Sequence, residues 1–484
     1  MAIIMTSPSR VIFISLSLNL YRQLAWTQWP TALAPMHIHR IPPELLAEIF
    51  KASLPTDDCP ISPKQGPLLV AQVSRQWRAV ALADSSLWAS LRIAITPDTP
   101  LSRASLVGLW LQRSASQPLS ITVWMNPFAN FTLEKRTLLR DVFTLLSRAS
   151  HRWNRLSVTL PGSNHLFADL CASPPYPILS SLSFTLGNWT PRETFNINTL
   201  LLHSPSLRRV EWSNRSSWAS FDAPLDSGME YLSMAWHQLT DIVLDTWITL
   251  KSALYILRQC STLSQLDLRH YSYSPELFDQ EEATKLGLFQ PGSALDPSTL
   301  IHLPQLKSLA IYQLKLDDGL AALLDRILCP ALQSFSYTSG FIERTKWPQE
   351  AFHGFLVRSG CRLRSLSLEF TGISEQQLVQ CLEDTSPSLT SLEVYDARGD
   401  ICVRDDLLDS FHASRDPVLC PNLDTLILHR VVSCTESTLS DVVRSRISPP
   451  PDHGTPCAPL RHVDILYSTD ISGFSMRYER YSYP

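Results

Sequence analysis

Glycine is scarce in this chain, with 15 residues among 484. Because glycine usually makes up about 7% of a protein, folds that cradle phosphates in glycine-rich loops are disfavoured. The sequence also lacks the motifs G-x-G-x-x-G, G-x-x-x-x-G-K-[ST], G-x-S-x-G and H-E-x-x-H. No motif therefore supports an interpretation of this chain as an enzyme, and we expect no catalytic residue, no cofactor and no enzymatic activity.

An excess of positive charge is missing as well. The chain has 41 basic and 45 acidic residues and a net charge of −4. It therefore lacks the basic footprint of a nucleic-acid-binding protein and the basic patch of a protein that binds anionic membranes. The apolar run Val11–Leu20 falls short of the roughly 20 residues that cross a bilayer. We expect neither nucleic acid nor membrane as a partner.

The ten cysteines include no C-x-x-C pair. Zinc sites need clustered ligands, so we expect no metal. Unclustered cysteines also favour a reducing compartment, in this case the cytoplasm, the nucleus or both. Five cysteines precede the apolar repeats described below by two or three residues, which predicts a shared buried position; they are Cys260, Cys329, Cys361, Cys420 and Cys457.

The stretch Ile38–Leu91 predicts three short helices. Pro42 and Pro43 can open a helix, and Glu44 suits its first turn. Apolar residues recur at helical spacing in the first helix (Leu45, Leu46, Ile49, Phe50), the second (Leu69, Val73, Trp77, Val80) and a third short element (Leu87, Trp88, Leu91). A unit of about 50 residues buries little of its own surface, so some of these side chains should contact a partner.

This stretch resembles the F-box. The residues that carry the resemblance are Ile41, Pro42, Glu44, Leu45, Leu46, Ile49, Phe50, Val73, Ser74, Arg75, Trp77, Arg78, Leu87 and Trp88. The longer loop Leu54–Pro67 is similar to loops of fungal F-box proteins. The resemblance implies docking on a Skp-family adaptor that is bound to a cullin. The residues predicted to contact the adaptor are Pro42, Leu45, Leu46, Ile49, Val73 and Trp77.

A second pattern, an apolar residue followed by apolar residues three and five positions later, occurs eleven times. The copies begin at Trp153, Leu179, Leu207, Leu239, Leu263, Leu306, Leu332, Leu363, Leu389, Leu423 and Leu460. Helix-like segments lie between several of them: Asp318–Leu328, Gln349–Arg358, Ser374–Leu382 and Asp405–Ala413. Strand plus helix at this period is typical of a solenoid in which stacked units share one core.

The second pattern resembles leucine-rich repeats in a degenerate form, because asparagine is absent from the turn position of every copy. The long gaps predict insertions at Asn214–Trp236 and Tyr271–Leu300. We therefore predict an α/β protein with a small three-helix F-box followed by an irregular solenoid of parallel strands and helices.

The predicted organisation has five parts. Residues 1–36 are a leader, either disordered or a mis-assigned start, and residues 37–95 are the F-box-like domain. Residues 96–150 link it to the repeats through a helix (Leu101–Ser114, with Leu106, Leu109 and Trp110 on one side), a strand (Leu119–Met125) and a helix (Thr132–Ala149). Residues 151–470 are the repeats, and residues 471–484 form an aromatic tail.

Alternate residues of each repeat strand should face away from the core, and solenoids bind protein ligands on that concave surface. The predicted substrate-binding residues are Arg209, Glu211, Asp241, Asp267, Arg269, Tyr312 and Tyr395. Asp241, Asp245 and Asp267 together with two arginines fit an ion-paired binding face better than a catalytic or metal site.

The sequence thus predicts the substrate-recognition subunit of a Skp-cullin-F-box ubiquitin ligase whose protein substrate is unknown. One alternative is an F-box scaffold that does not promote degradation. Another is a secreted leucine-rich-repeat protein, for which the sequons at Asn130, Asn188 and Asn214 would be needed. The unclustered cysteines and the F-box-like stretch argue against secretion.

Overall fold

The computed structural model divides the chain into two compact units, Met1–Ser157 and Val158–Pro484. It describes residues 41–55, 59–125, 132–160, 169–171, 174–186, 191–214, 235–272, 300–313, 318–340, 346–396, 401–447, 457–466 and 478–482. The predicted leader, both predicted insertions except their ends, and most of the tail lie outside these residues. No helix in the described part is long and apolar enough to cross a membrane.

The first unit begins with short helices and continues with strands and longer helices. The helices are α1 (Pro43–Ser53), α2 (Gly66–Val70), α3 (Arg75–Ala83), α4 (Arg103–Arg113) and α5 (Leu133–Arg148). The strands are β1 (Ser90–Ile95) and β2 (Leu119–Met125), which pair in parallel, while β3 (Trp153–Leu160) crosses the division between the units.

The predicted second and third helices of this unit were wrong in detail. The second is broken into α2 and α3, because Ser74 caps α3 by accepting a hydrogen bond from the Trp77 amide at 3.1 Å. The third is a single 3-10 turn, Ser85–Trp88, whose N-terminus is capped by Asp84. Leu91 belongs to β1 instead.

The linking segment packs within the first unit around Trp88. The Trp88 indole donates to the Ala81 carbonyl at 2.8 Å, and its ring meets that of Trp110 edge-on at 4.8 Å. In α4, Val107 and Trp110 are buried whereas Leu106 and Leu109 are exposed, so the side that carries the two leucines is not the side that packs inward. The two leucines lie about 100° away from the buried pair around the helix.

The second unit is built on parallel strands separated by helices. The strands are β4 (Ser181–Leu186), β5 (Arg209–Asn214), β6 (Asp241–Thr249), β7 (Gln265–Ser272), β8 (Ile301–His302), β9 (Ser308–Gln313), β10 (Ile327–Leu328), β11 (Ser334–Ser339), β12 (Ser365–Glu369), β13 (Ser391–Tyr395), β14 (Thr425–His429), β15 (His462–Leu466) and β16 (Tyr478–Ser482). They pair in the order β4-β5-β6-β7-β9-β11-β12-β13-β14-β15-β16, and only β16 runs antiparallel to its neighbour. β8 and β10 form a separate parallel pair.

The predicted parallel-strand solenoid is confirmed, since each of the eleven repeats contains a strand. The second apolar position of the repeat forms one buried row across β4–β15, in which no side chain is more than 2% exposed. From β9 onward this row runs through Leu309, Phe335, Leu366, Leu392, Leu426 and Val463. Repetition in sequence has therefore become one continuous core.

Helices cover the apolar side of these strands. They are α6 (Pro191–Leu202), α7 (Leu250–Leu257), α8 (Gly319–Leu324), α9 (Gln349–Ser359), α10 (Glu375–Thr385), α11 (Asp405–Ser410) and α12 (Glu436–Ile447). The ring of Phe352 in α9, for example, lies 5.1 Å from that of Phe335 in β11. Ser374 and Gln377 form a capping box at the start of α10.

At two of the turns that lack asparagine, main-chain hydrogen bonds to the next repeat satisfy the backbone. Phe370 and Arg430 follow strand ends with left-handed φ angles of 54° and 61°. Their amides donate to the last carbonyl of the next strand, Tyr395 at 2.9 Å and Leu466 at 2.5 Å. Each turn is thus satisfied by its neighbouring repeat rather than by an asparagine side chain.

The predicted cysteine position is a structural one. Cys260, Cys329 and Cys420 are buried, whereas Cys361 and Cys457 are half-buried, and all five are free thiols. Burial raises the pKa of the Cys260 and Cys329 thiols to about 12. These groups are therefore neutral at physiological pH and act as small apolar side chains.

Arg446 holds the C-terminal repeats together from inside. The α12 side chain is fully buried, and its guanidinium donates to the carbonyls of Phe411, Cys420, Pro421, Leu423 and Ala458 at 2.8 to 3.4 Å. Desolvation lowers its pKa, and no carboxylate pairs with it in the described part of the chain. The carbonyls that it satisfies belong to the irregular segments before β14 and β15.

We expect Arg446→Met to destabilise the second unit by about 3 kcal/mol or more. Methionine keeps much of the volume but removes the donor to the Phe411, Leu423 and Ala458 carbonyls, while those of Cys420 and Pro421 still accept main-chain hydrogen bonds. Each unsatisfied buried group costs about 1–3 kcal/mol. Urea denaturation followed by circular dichroism measures the loss. Arg444→Met on the exposed side of the same helix should change stability by no more than about 0.5 kcal/mol. Equal losses in the two variants would contradict this role.

Candidate protein-binding surfaces

Helix α1 has two neighbouring apolar stripes, one buried and one exposed. Leu46 and Phe50 are fully buried, whereas Leu45 is 58% and Ile49 38% exposed. Pro42, one turn before Leu45, is exposed too. Residues three and four apart lie on the same side of a helix, so Pro42, Leu45 and Ile49 form one exposed stripe, here called the α1 stripe.

The buried side of α1 is fixed by an aromatic contact. The Phe50 ring lies 4.9 Å from that of Trp77 in α3, and Trp77 is 3% exposed. Lys51 adds a polar tie at the edge, with ion pairs to Glu48 at 3.0 Å and Asp84 at 3.3 Å. These contacts turn α1 so that the α1 stripe points to solvent.

The six predicted adaptor-contact residues are therefore split. Pro42, Leu45, Ile49 and Val73 are exposed, the last of these at 57% in the turn before α3. Leu46 and Trp77 lie in the core and are unavailable to a partner, so their assignment needs correction. The four apolar residues at positions 45, 46, 49 and 50 are spread too widely around the helix to be buried together. Packing against α3 buries Leu46 and Phe50 and leaves Leu45 and Ile49 exposed.

This split predicts opposite results for two adjacent leucines. Leu46→Ala should destabilise the first unit by about 2–5 kcal/mol, because it opens a cavity in the core. Leu45→Ala removes an exposed side chain and should change stability by about 0.5 kcal/mol or less. Native-state hydrogen exchange of residues 41–95 reports both values. A loss at Leu45 as large as that at Leu46 would show that the α1 stripe is part of the core.

The second candidate surface is the side of the sheet opposite the core, here called the polar face. As predicted from the strand period, Arg209 and Arg269 are exposed there, and Glu211, Asp241, Asp267, Tyr312 and Tyr395 are half-buried. Parallel register aligns them in rows across the sheet. One row, here called the carboxyl-end row, contains Asp245, Arg269, Tyr312, Thr338, Glu369, Tyr395 and His429.

The seven predicted substrate-binding residues fall into three rows. Arg269, Tyr312 and Tyr395 share the carboxyl-end row. Arg209 and Asp241 are direct neighbours in a second row, whereas Glu211 and Asp267 lie in a third with Val243 between them. The grouping of Glu369 with Tyr395 was not predicted from the sequence, although both positions alternate with buried residues in their strands. Their adjacency depends on pairing between repeats and could not be inferred from either repeat alone.

The two arginines of the polar face have carboxylate partners. Arg269 donates to Asp267 Oδ2 at 3.0 and 2.8 Å, and Arg209 lies 3.9 Å from Glu211. Burial opposes the charged form of Arg269, but the hydrogen bond that it donates to Asp267 and the charges of Asp267, Asp245 and Glu211 raise its pKa. Each guanidinium thus has a carboxylate beside it that offsets part of its charge.

A pair of carboxylates lies farther along the polar face. Glu369 accepts a hydrogen bond from the Thr338 hydroxyl at 3.1 Å, and Glu393 from the Ser367 hydroxyl at 3.4 Å. Desolvation, together with the nearby charge of Glu393, raises the pKa of Glu369. Within the described ranges, no group of three or more histidine, cysteine, aspartate or glutamate side chains could hold a metal ion.

Comparison with protein families decides what the first unit contains. The model of the family described as F-box-like matches residues 38–94. The chain carries an F-box-like domain. The α1 stripe and Val73 thus lie in a domain of the class that binds Skp-like adaptors, while the predicted fungal origin of the domain stays a prediction.

Solved structures give weaker likenesses. The complex of Rad7 and Elc1 from yeast aligns with a TM-score of 0.35 and 13% identity over 90% of this chain and 96% of that one. A Bacteroides fragilis protein aligns with a TM-score of 0.32 and 12% identity over 58% and 67%. At these scores neither carries an argument about this chain. No curated protein sequence matches it.

Proposed function

We propose that this protein is the substrate-recognition subunit of a Skp-cullin-F-box ubiquitin ligase. In this proposal the F-box-like domain docks a Skp-family adaptor, the adaptor connects the chain to a cullin, and the polar face holds a protein substrate. The chain contributes no chemistry of its own and acts in the cytoplasm, the nucleus or both. The observation that carries the proposal is the exposed α1 stripe within an F-box-like domain.

The α1 stripe has the properties of a docking surface for an apolar partner. Leu45 and Ile49 are large apolar side chains one turn apart, and both point away from a core that is already filled by Leu46, Phe50 and Trp77. Val73 adds a further exposed apolar group in a turn between two helices that both contact α1. Covering a leucine or isoleucine side chain contributes roughly 1.5–3 kcal/mol to association.

The polar face supports the second half of the proposal through its breadth and its composition. It extends over parallel strands β4–β15 and carries tyrosine and arginine, which often anchor protein interfaces. Repeat arrays commonly present such extended sheets to protein ligands. Adaptor and substrate would then occupy different parts of the chain.

We expect Leu45→Asp and Ile49→Asp each to weaken binding of a Skp-family adaptor at least about tenfold, because each places a charge where an apolar side chain would be covered. The measurement is co-purification of the full chain with a recombinant adaptor, followed by titration calorimetry. Leu133→Asp is the matched control, since Leu133 is 80% exposed in α5 of the same unit. Circular dichroism checks that all variants are folded.

Two results would refute the adaptor role: no capture of the adaptor by folded wild-type protein, or equal capture by the wild type and both α1 variants. If the adaptor binds, adding a cullin and the ubiquitin-transfer enzymes separates the remaining alternatives. Ubiquitin transfer to a bound protein supports the ligase subunit. Stable assembly without any transfer supports the scaffold that does not promote degradation.

A further inference from the structure

The polar face carries more negative than positive charge, whereas the chain as a whole is nearly balanced, with 41 basic and 45 acidic residues. Across β4–β14 its strand positions carry six carboxylates, on Glu211, Asp241, Asp245, Asp267, Glu369 and Glu393, but only the guanidiniums of Arg209 and Arg269. Both guanidiniums are already next to carboxylates. A ligand that covers Glu369 and Glu393 must therefore bring positive charge or bury these two carboxylates without a cationic partner.

The charge is also divided along the strands. Arg208, Lys307, Arg364 and Arg461 each directly precede a strand, at the amino end of the sheet. Glu369 lies at the opposite, carboxyl end, in the carboxyl-end row. Strands β11, β12 and β13 themselves carry two carboxylates, Glu369 and Glu393, and no cation, so the strand charge nearest to these residues is negative.

Glu369 and Glu393 have no cationic partner in the described part of the chain. Their bonded neighbours are the hydroxyls of Thr338 and Ser367. The two guanidiniums of the polar face in β4–β14, Arg209 and Arg269, lie on β5 and β7, whereas these two glutamates lie on β12 and β13. The nearby negative charge of Glu393 adds to desolvation in raising the pKa of Glu369. A bound cation would offset the repulsion between the two carboxylates and favour their charged forms.

Aromatic side chains flank this pair of carboxylates. Tyr395 is the direct register partner of Glu369 on the next strand, about 4.8 Å away along the row. Tyr312 lies three strands from Tyr395, at roughly 14 Å. The Tyr395 ring is held by the edge of the Phe370 ring at 4.9 Å and lies 6.2 Å from the His429 ring. An aromatic ring fixed beside a carboxylate favours a guanidinium or ammonium group.

The rows next to these groups carry small and mostly polar side chains. Ser308, Ser334, Ser365 and Ser391 form one row across β9–β13, and Ala310, Ser336 and Ser367 form the next. These small side chains allow a polypeptide backbone to approach the sheet, and their hydroxyls supply hydrogen bonds. The row of serines alone would not identify a ligand, but it leaves room for one beside Glu369 and Tyr395.

We propose that the polar face between Tyr312 and Tyr395 binds a basic polypeptide segment, whose arginine or lysine side chains meet Glu369, Glu393 and the Tyr395 ring. A basic segment is thus the class of substrate that we assign to the polar face. Its role as a substrate rests on the proposed function, which places substrate binding on that face. Physical binding at the polar face does not require the adaptor, so the two ideas can fail separately.

The test uses the full chain and a fluorescein-labelled octapeptide of alternating arginine and glycine, measured by fluorescence anisotropy at low ionic strength without adaptor. We expect the double variant Glu369→Gln with Glu393→Gln to weaken binding about tenfold. The control Glu350→Gln with Glu383→Gln removes the same charge from exposed positions of α9 and α10, and should stay within about twofold of wild type. Binding by wild type should fall as salt is raised.

A second set of variants isolates the aromatic contribution. Tyr395→Phe keeps the ring and should bind the peptide within about twofold of wild type, whereas Tyr395→Leu should lose about three- to fivefold. Thermal melts of both variants check the packing against Phe370. The same peptide with glutamate in place of arginine should not bind.

Three results would overturn the inference. The first is no binding of the arginine peptide by wild-type protein even at millimolar concentration. The second is a loss of binding in the control pair as large as in Glu369→Gln with Glu393→Gln, and the third is equal binding of the glutamate peptide. Adaptor capture through α1 is scored in a separate experiment. Its failure alongside Glu369-dependent peptide binding would remove the ligase role and leave the basic-segment site intact.

Discussion

The in-register pairing of parallel strands is the constraint on which the second unit depends. Each repeat contributes a strand whose alternate side chains must be buried, and no repeat can bury them alone. Pairing at constant register places Leu309, Phe335, Leu366 and Leu392 in one buried row. The same pairing necessarily places Tyr312, Thr338, Glu369 and Tyr395 in one row on the other side. The core and the candidate binding surface are thus two consequences of one register.

The turns that follow two of the strands also depend on this pairing between repeats. Phe370 and Arg430 adopt left-handed backbone conformations that non-glycine residues seldom take, and each amide bonds to the next strand. Arg446 does similar work at the irregular C-terminal repeats, where its buried guanidinium satisfies five main-chain carbonyls. A degenerate repeat remains ordered because its polar backbone groups are satisfied by neighbouring repeats or by one buried side chain.

In the first unit, helix α1 carries two apolar stripes, and its neighbouring helices cover only one of them. Phe50 meets Trp77, and this contact decides that Leu46 is inside while Leu45 and Ile49 remain outside. A small domain with more apolar groups than it can bury is left with an exposed apolar stripe. That surplus, rather than any charged or catalytic group, is what the F-box-like domain offers to a partner.

The sequence by itself determined the F-box-like stretch, the eleven strands, most helices and the alternation that separates core from polar face, because these features depend on local spacing and on repetition. It did not determine the break at Ser74, the burial of Leu46 and Trp77, or the exposure of Leu106 and Leu109. Those depend on which side of each helix its neighbours cover. Nor did it place Glu369 beside Tyr395, since residues of separate repeats become neighbours only when strand pairing fixes their register.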